Sequence, residues 1–320
     1  MAGVKRVILA APRGYCAGVD RAVQIVERAL ERRGAPVYVR KEIVHNRYVV
    51  TELEKRGAVF VDSEEEIPPG SVCVFSAHGV SPRVRANAKK RNLQVIDATC
   101  PLVTKVHLEA KRFARDDRKI VLVGHLGHEE IEGTAGEVAD STYIIEDVDQ
   151  IDELPIAPDE PVSYLTQTTL SVDDTRDVVE GLRGRFTDIA GPHKDDICYA
   201  TQNRQVAVKA IAPEADVVLI VGAVNSSNSN RMVEVASKAG TPAHLVPDES
   251  HLRDEWLDGA EVVGVSSGAS APEVLVGGLL QRLAELGYRD VETKEVTTEA
   301  VTFSLPPWLR NEVGAGPDPD

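Results

Sequence analysis

Apolar runs alternate with helical stripes along most of the chain. VILAAP, from Val7, is a strand-like run. After Cys16 the apolar positions Val19, Ala22, Val23, Val26 and Leu30 recur at helical spacing until Gly34 and Pro36 stop them. LQVIDAT leads into Cys100. There Pro101 suits a first helical position, and Leu102, Val106, Ala110 and Phe113 carry a second stripe. TDIAGPHKDDI leads into Cys198, and YATQNRQVAVKAIA predicts a weaker helix.

A strand-like run ending in a polar loop follows each cysteine: VYVRKEIVHN with His45, KIVLVGHLGHEE with His128, and VVLIVGAVNSSNSN with Asn225 and Ser226. These loops lie 29, 28 and 27 or 28 residues past the cysteines. A second strand and loop come next: SVCVFSAHGVSP with His78, PVSYLTQTTLS with Thr168, and EVVGVSSGASAP with Ser270, at offsets of 62, 68 and 72. Short runs AVFVDS, TYIIED and PAHLVPD separate the two loops. Spacings of 84 and 98 residues between cysteines are too long for a solenoid repeat, so the pattern predicts three small domains.

The expected fold is α/β, with three pseudo-symmetry-related units whose small, mostly parallel sheets surround a central cavity. The expected boundaries are 12–98, 99–197 and 198–300, with a tail at 301–320. The N-terminal strand within 1–11 is expected to complete the third unit, although VETKEVT at 291–297 competes for that slot. NEVGAGPDPD at the end is expected to be disordered. Ligands gather beyond the carboxyl ends of parallel strands, where every cysteine, histidine and hydroxyl cluster named above falls.

Charge narrows the function. Lys and Arg number 36 against 51 Asp and Glu, giving −15 over 320 residues, which argues against nucleic acid or a membrane surface as partner. No apolar run approaches a membrane span, and VILAAP meets Arg13 too soon for a signal peptide, so the cytoplasm is the expected compartment. Four cysteines make no disulfide framework.

Cys16, Cys100 and Cys198, at matched positions ahead of helices, are candidate ligands for zinc or an iron–sulfur cluster. Three protein ligands leave one metal position open for chemistry. Cys73, inside VCVF, reads as core. His45, His78 and His128 share the loop positions, whereas His107 and His125 read as structural. NSSNSN is a turn in its plainest reading, but ahead of the helix suggested by RMVEVASKAG it forms an anion cradle. Glu129, Glu130 and Glu132 are candidate proton donors among which spacing does not choose, and Thr168 is placed to position the proton.

PRGYCAGVDRA, AHGVSP, DATCPLVTKVH, GHLGHEEIEGT, TQTTLS, NSSNSNR and GASAPE, in this order, resemble the 4-hydroxy-3-methylbut-2-enyl diphosphate reductase family. The likeness runs from about Val7 to VTFSLP, and Tyr15 stands where the family often has Phe. It implies one 4Fe-4S cluster on Cys16, Cys100 and Cys198, with the fourth iron left to the substrate oxygen. It implies a diphosphate site of His45, His78, His128, Ser226, Ser227, Asn228 and Ser270. It also implies proton delivery by Glu130 with Thr168, and electrons from reduced ferredoxin or flavodoxin. The reaction implied removes an allylic hydroxyl to give isopentenyl and dimethylallyl diphosphate. The residues by themselves also admit a hydro-lyase with a three-cysteine cluster, a cluster-bearing regulator, and a binding protein for phosphorylated ligands.

Overall fold

The computed structural model describes residues 5–310. The expected disorder at 311–320, and residues 1–4 of the N-terminal strand region, lie outside the described residues. The chain opens with β1 (Arg6–Ala11), α1 (Ala17–Arg33), β2 (Val37–Arg40), α2 (Arg47–Lys55), β3 (Ala58–Val61), β4 (Val72–Phe75), α3 (Pro82–Lys90) and β5 (Gln94–Asp97). It continues with α4 (Pro101–Arg115), β6 (Lys119–Val123), α5 (Glu129–Glu137), β7 (Thr142–Ile145), β8 (Val162–Thr166), α6 (Val172–Arg185) and β9 (Ile189–Ala190). The last part holds α7 (Tyr199–Ile211), β10 (Val217–Val221), α8 (Ser227–Lys238), β11 (Ala243–Val246), β12 (Val262–Ser267), α9 (Glu273–Glu285), β13 (Asp290–Glu295) and α10 (Pro307–Arg310).

The strands form three sheets, in which every pair is parallel. Their orders are β3-β2-β4-β5, β7-β6-β8-β9 and β11-β10-β12-β1-β13. The same plan recurs: the first strand lies between the second and third, and the fourth follows the third. In the last sheet β1 fills the fourth place from the other end of the chain. Residues 291–297 do not displace it. Arg6 pairs with Val262 on one side and Asp290 on the other, so β13 adds a fifth strand outside β1.

Contacts divide the chain into two compact units. Among the described residues, one holds 5–16, 169–172 and 197–301, and the other holds 17–168, 173–196 and 302–310. The five-stranded sheet belongs to the former. Its β10 is buried throughout, an apolar run of the kind a sheet covered on both faces requires. On one face Leu9, Leu219 and Val265 pack with Leu275, Leu279 and Leu283 of α9. Other clusters join Ile8 to Ala207 and Ile211 of α7, and Val218 and Ile220 to Met232 and Val235 of α8. In the second unit, Phe75 packs with Val84 and Ala88 of α3, and Leu122 and Leu165 pack with Val106 and Phe113 of α4. No helix among the described residues is long and apolar enough to cross a membrane.

This plan sorts the chemistry-bearing loops. His45, His128 and Ser226 follow the first strands of the three sheets, β2, β6 and β10. His78, Thr168 and Ser270 follow the third strands, β4, β8 and β12. Cys100, Cys198 and Cys16 follow the fourth strands, β5, β9 and β1.

Candidate active site

Three histidines meet in the second unit. His45 and His78 stack with centroids 4.1 Å apart, and His128 stands edge-on to both at 5.4 and 5.8 Å. The His78 Nδ1 lies 3.1 Å from Glu129 Oε2, which also accepts from the Ser76 hydroxyl at 3.2 Å. The His45 Nδ1 lies 3.3 Å from Glu42 Oε2. His128 caps α5, its Nδ1 accepting from the Glu130 amide at 3.2 Å. A neutral His128 therefore carries its proton on Nε2 and keeps a donor for another partner. Burial, with the neighbouring imidazoles of His78 and His45, pushes its pKa down to about 3. Burial and His45 also lower His78, against the pull of Glu129. Burial tends to raise Glu129, but the hydrogen bonds from His78 and Ser76 outweigh it and lower the carboxyl below its usual range, so it stays ionised.

The three glutamates that spacing left open have different fates. Glu132 is exposed, Glu129 binds His78 and Ser76, and Glu130 is buried. Thr168 donates to both oxygens of Glu130, its amide to Oε1 at 2.6 Å and its hydroxyl to Oε2 at 3.0 Å. Burial pushes the Glu130 pKa up to about 7 against those two bonds, and Asp196 adds to the rise. A carboxyl that gains and loses its proton near neutrality, beside a hydroxyl, is suited to general acid catalysis. His107 is buried on α4 and bound to Glu137 at 3.0 Å, and His193 bonds to Arg112.

In the other unit α8 begins at Ser227, four residues ahead of the RMVEVASKAG stretch that suggested it. Ser226 is its cap, accepting from the Ser229 amide at 3.3 Å. Ser227 and Asn228 thus occupy the first turn, where free backbone amides and the helix dipole favour an anion. Asn228 Oδ1 is buried with no hydrogen-bond partner, while its Nδ2 faces the Met232 sulfur at 3.6 Å. Ser270 is buried in the loop between β12 and α9. Ser229, part of NSSNSN but not named there as a binding residue, wedges between the loops that leave β10 and β12. A Cβ on Gly222 or Gly268 would lie 2.2 or 2.1 Å from its Oγ, so both positions need glycine.

The cysteines also separate. Cys73 is fully buried in β4, and burial pushes its pKa up to about 12, so it remains an inert core thiol. Cys100 and Cys198 are the caps of α4 and α7, and Cys16 directly precedes α1. The Cys198 sulfur accepts from the Thr201 amide at 3.4 Å and lies 3.2 Å from its hydroxyl. Helix N-termini favour negative sulfur, and thiolates are the soft ligands that iron–sulfur clusters take. This donor set fits such a cluster. The sequence pattern also did not single out Glu129, Ser76 or Glu42 as partners of the histidines, because a carboxylate's target in another loop leaves no mark on local spacing.

These features define a parallel α/β protein with a threefold-repeated sheet plan and its polar side chains beyond the strand ends. The family described as LytB protein matches residues 7–284, and the chain belongs to that family. It is 62% identical over 310 residues to the 4-hydroxy-3-methylbut-2-enyl diphosphate reductase of Corynebacterium diphtheriae, covering 96% of this chain and 92% of that one. It is 59% identical over 308 residues, with the same coverages, to 4-hydroxy-3-methylbut-2-enyl diphosphate reductase 1 of Mycobacterium bovis. Among solved structures, the E-1-hydroxy-2-methyl-but-2-enyl-4-diphosphate reductase from Plasmodium falciparum matches with a TM-score of 0.91 at 35% identity, covering 95% of this chain and 96% of that one. The resemblance read from the sequence motifs is borne out over nearly the whole chain.

Proposed function

We propose that the chain is a 4-hydroxy-3-methylbut-2-enyl diphosphate reductase acting in the cytoplasm. It removes the allylic hydroxyl with two electrons and two protons, releases water, and yields isopentenyl and dimethylallyl diphosphate. The observation that carries this reading is the match to reductases of this name across almost the full length of both chains.

Cys16, Cys100 and Cys198 are the ligands of one four-iron four-sulfur cluster, which the thiol donor set described above supports. Bound there, it would supply electrons one at a time and a Lewis-acidic iron. Reduced ferredoxin or flavodoxin supplies the two electrons.

The chain's own residues do the rest. His128 offers Nε2–H, and His45 and His78 stack beside it, giving the diphosphate imidazole donors. Ser226, Ser227, Asn228 and Ser270 add hydroxyl, amide and helix-terminal donors, which suit an anion in a protein of −15 net charge. Glu130, whose pKa burial pushes up to about 7, exchanges a proton near neutral pH and delivers it from its protonated form. Thr168 fixes both carboxyl oxygens and passes the proton through Oγ1. The burial of Glu130 and Thr168 keeps water from competing for that proton.

The test is anaerobic turnover with a chemical reductant, with iron and sulfide analysis. The proposal expects both products, and expects loss of cluster and turnover in Cys16→Ser, Cys100→Ser or Cys198→Ser but not in Cys73→Ser. Conversion of substrate without any reductant would replace the reductase reading with a hydro-lyase.

A further inference from the structure

Three cations share one relationship to the three cysteines. Arg21 lies five residues after Cys16, on α1, and its Nη1 donates to the carbonyls of Ala98 at 3.2 Å and Thr99 at 3.1 Å, just ahead of Cys100. Lys105 lies five residues after Cys100, on α4. Its Nζ donates to the carbonyls of Lys194 and, at 3.2 Å, Asp195, and to Asp196 Oδ1 at 3.0 Å, just ahead of Cys198. Arg204 lies six residues after Cys198, on α7. Its Nε and Nη2 donate to the carbonyl of Gly14 at 3.2 and 2.6 Å, two residues ahead of Cys16. Each helix that leaves one cysteine therefore carries a cation that grips the backbone entering the next, in the closed order 16, 100, 198, 16.

The grips are built into the interior. Arg204 is fully buried, and its Nη1 also binds the Ala200 carbonyl and, at 3.0 Å, Glu299 Oε1. The Asp196 side chain has no exposure and also accepts from the Thr166 amide at 3.0 Å. Arg21 reaches the Ser304 carbonyl with Nε at 3.1 Å and interacts electrostatically with Cys100. The loop ahead of Cys16 is held twice more, by the Gly14 amide on the Ser267 hydroxyl at 2.9 Å and by the Cys16 amide on the Ala269 carbonyl at 3.3 Å.

Strand-to-helix loops end with carbonyls that no ladder partner satisfies, so a cation that takes them fixes the loop's backbone. Long helical side chains point back toward the N-terminus. A cation in the second turn can therefore reach the end of the helix where its own cysteine lies.

We propose that Arg21, Lys105 and Arg204 are positioning residues that lock the backbone ahead of Cys100, Cys198 and Cys16, and so slow the loss of a cluster held by these thiols. The proposal rests on the reading of these cysteines as cluster ligands.

The test uses the full chain with Lys105→Met in an Asp196→Asn background, with Lys105→Arg, and with Arg204→Met paired with Glu299→Gln, so that neither carboxylate is left without its cation. Lys294→Met serves as control, because Lys294 grips the Ala210 carbonyl away from any cysteine. Amide exchange of the cluster-free protein is read first. Lys105→Met is expected to speed exchange at residues 194–198 about tenfold and leave 98–100 unchanged. In the loaded protein, chelator-driven loss of the cluster absorption is expected to be about 10–100-fold faster in the Met variants, near wild type in Lys105→Arg, and unchanged in the control. If loaded wild type and the Met variants release iron at one rate, the positioning role is overturned while the reductase reading stands. If wild type takes up no cluster, the reductase reading falls and the cluster-retaining role falls with it, whatever the exchange pattern. Failure of Lys105→Arg to restore retention also overturns the proposal.

Discussion

Thr168 donates to both oxygens of the buried Glu130 carboxyl, from its backbone at 2.6 Å and from its hydroxyl at 3.0 Å. One residue thus fixes the carboxyl plane and leaves Oε2 facing a hydroxyl that can pass a proton on. Glu130→Gln keeps the size and one accepting oxygen for the Thr168 amide, with the Thr168 hydroxyl turning to accept from the new NH2 group, but it cannot act as an acid. It is expected to leave the cluster spectrum and substrate binding near normal and lower turnover by about 10²–10⁴. Single-turnover rates with a chemical reductant check this, and near wild-type turnover would remove Glu130 from the reaction.

The same pair sets a pH dependence. Burial pushes the Glu130 pKa up to about 7, while the two Thr168 bonds favour its ionised form. The acid is protonated below that value and lost above it, so turnover should fall as pH rises through about 7. Thr168→Val removes one of the bonds that stabilise the carboxylate. The pKa then rises, and the falling limb should move to higher pH as the maximum rate drops. A limb that moved to lower pH would show that Thr168 acts otherwise.

Which parts of this site could be seen without coordinates follows from how each residue is held. The loop positions of His45, His78 and His128 come directly from strand spacing, because a parallel sheet puts each strand end on one side. The start of α8 was hidden because Ser226 and Ser227 look like a turn until the Ser226 cap bond is seen. VETKEVT and the N-terminal strand compete for one slot in the repeat pattern, whereas the sheet takes both, with the exposed β13 at its edge. The role of Glu129 needs coordinates, since nothing in HEEIEGT points to His78, which lies 51 residues earlier. The sheet order itself needed the pairing register, which no local pattern encodes.

Diphosphate binding should be coupled to proton uptake. His78 directs Nδ1 at the ionised Glu129, and burial with His45 keeps the ring neutral in the free protein. Its proton then sits on Nδ1, and Nε2 must gain one to donate to an anion. Binding heats measured at pH 7.5 in buffers of different ionisation enthalpy should show net uptake of about one proton. Glu129→Gln removes the charge that supports the imidazolium. It should reduce the uptake and weaken binding by about tenfold or more, the value of a charge-assisted hydrogen bond. Identical heats in all buffers would show that the ring stays neutral with ligand bound.

The wedge formed by Ser229 makes the last prediction, because its two glycine neighbours are close for different reasons. A Cβ on Gly268 would lie 2.1 Å from Ser229 Oγ but 3.3 Å from its Cβ, whereas one on Gly222 would lie 2.2 Å from Oγ and 2.6 Å from Cβ. Both Gly268→Ala and Gly222→Ala should destabilise by about 1–3 kcal/mol through overpacking. Ser229→Ala deletes only the oxygen. It loses the 3.0 Å bond to the Ser226 hydroxyl, a cost of about 1 kcal/mol, and opens space at Gly268 but not at Gly222. In denaturant unfolding the Gly268→Ala, Ser229→Ala double variant should therefore be more stable than additivity predicts, by about 1–2 kcal/mol, while the Gly222→Ala pair should be additive. Equal rescue of both glycines would mean that the loops leaving β10 and β12 yield to the side chain, so that Ser229 does not fix the approach of the Ser270 loop to the first turn of α8.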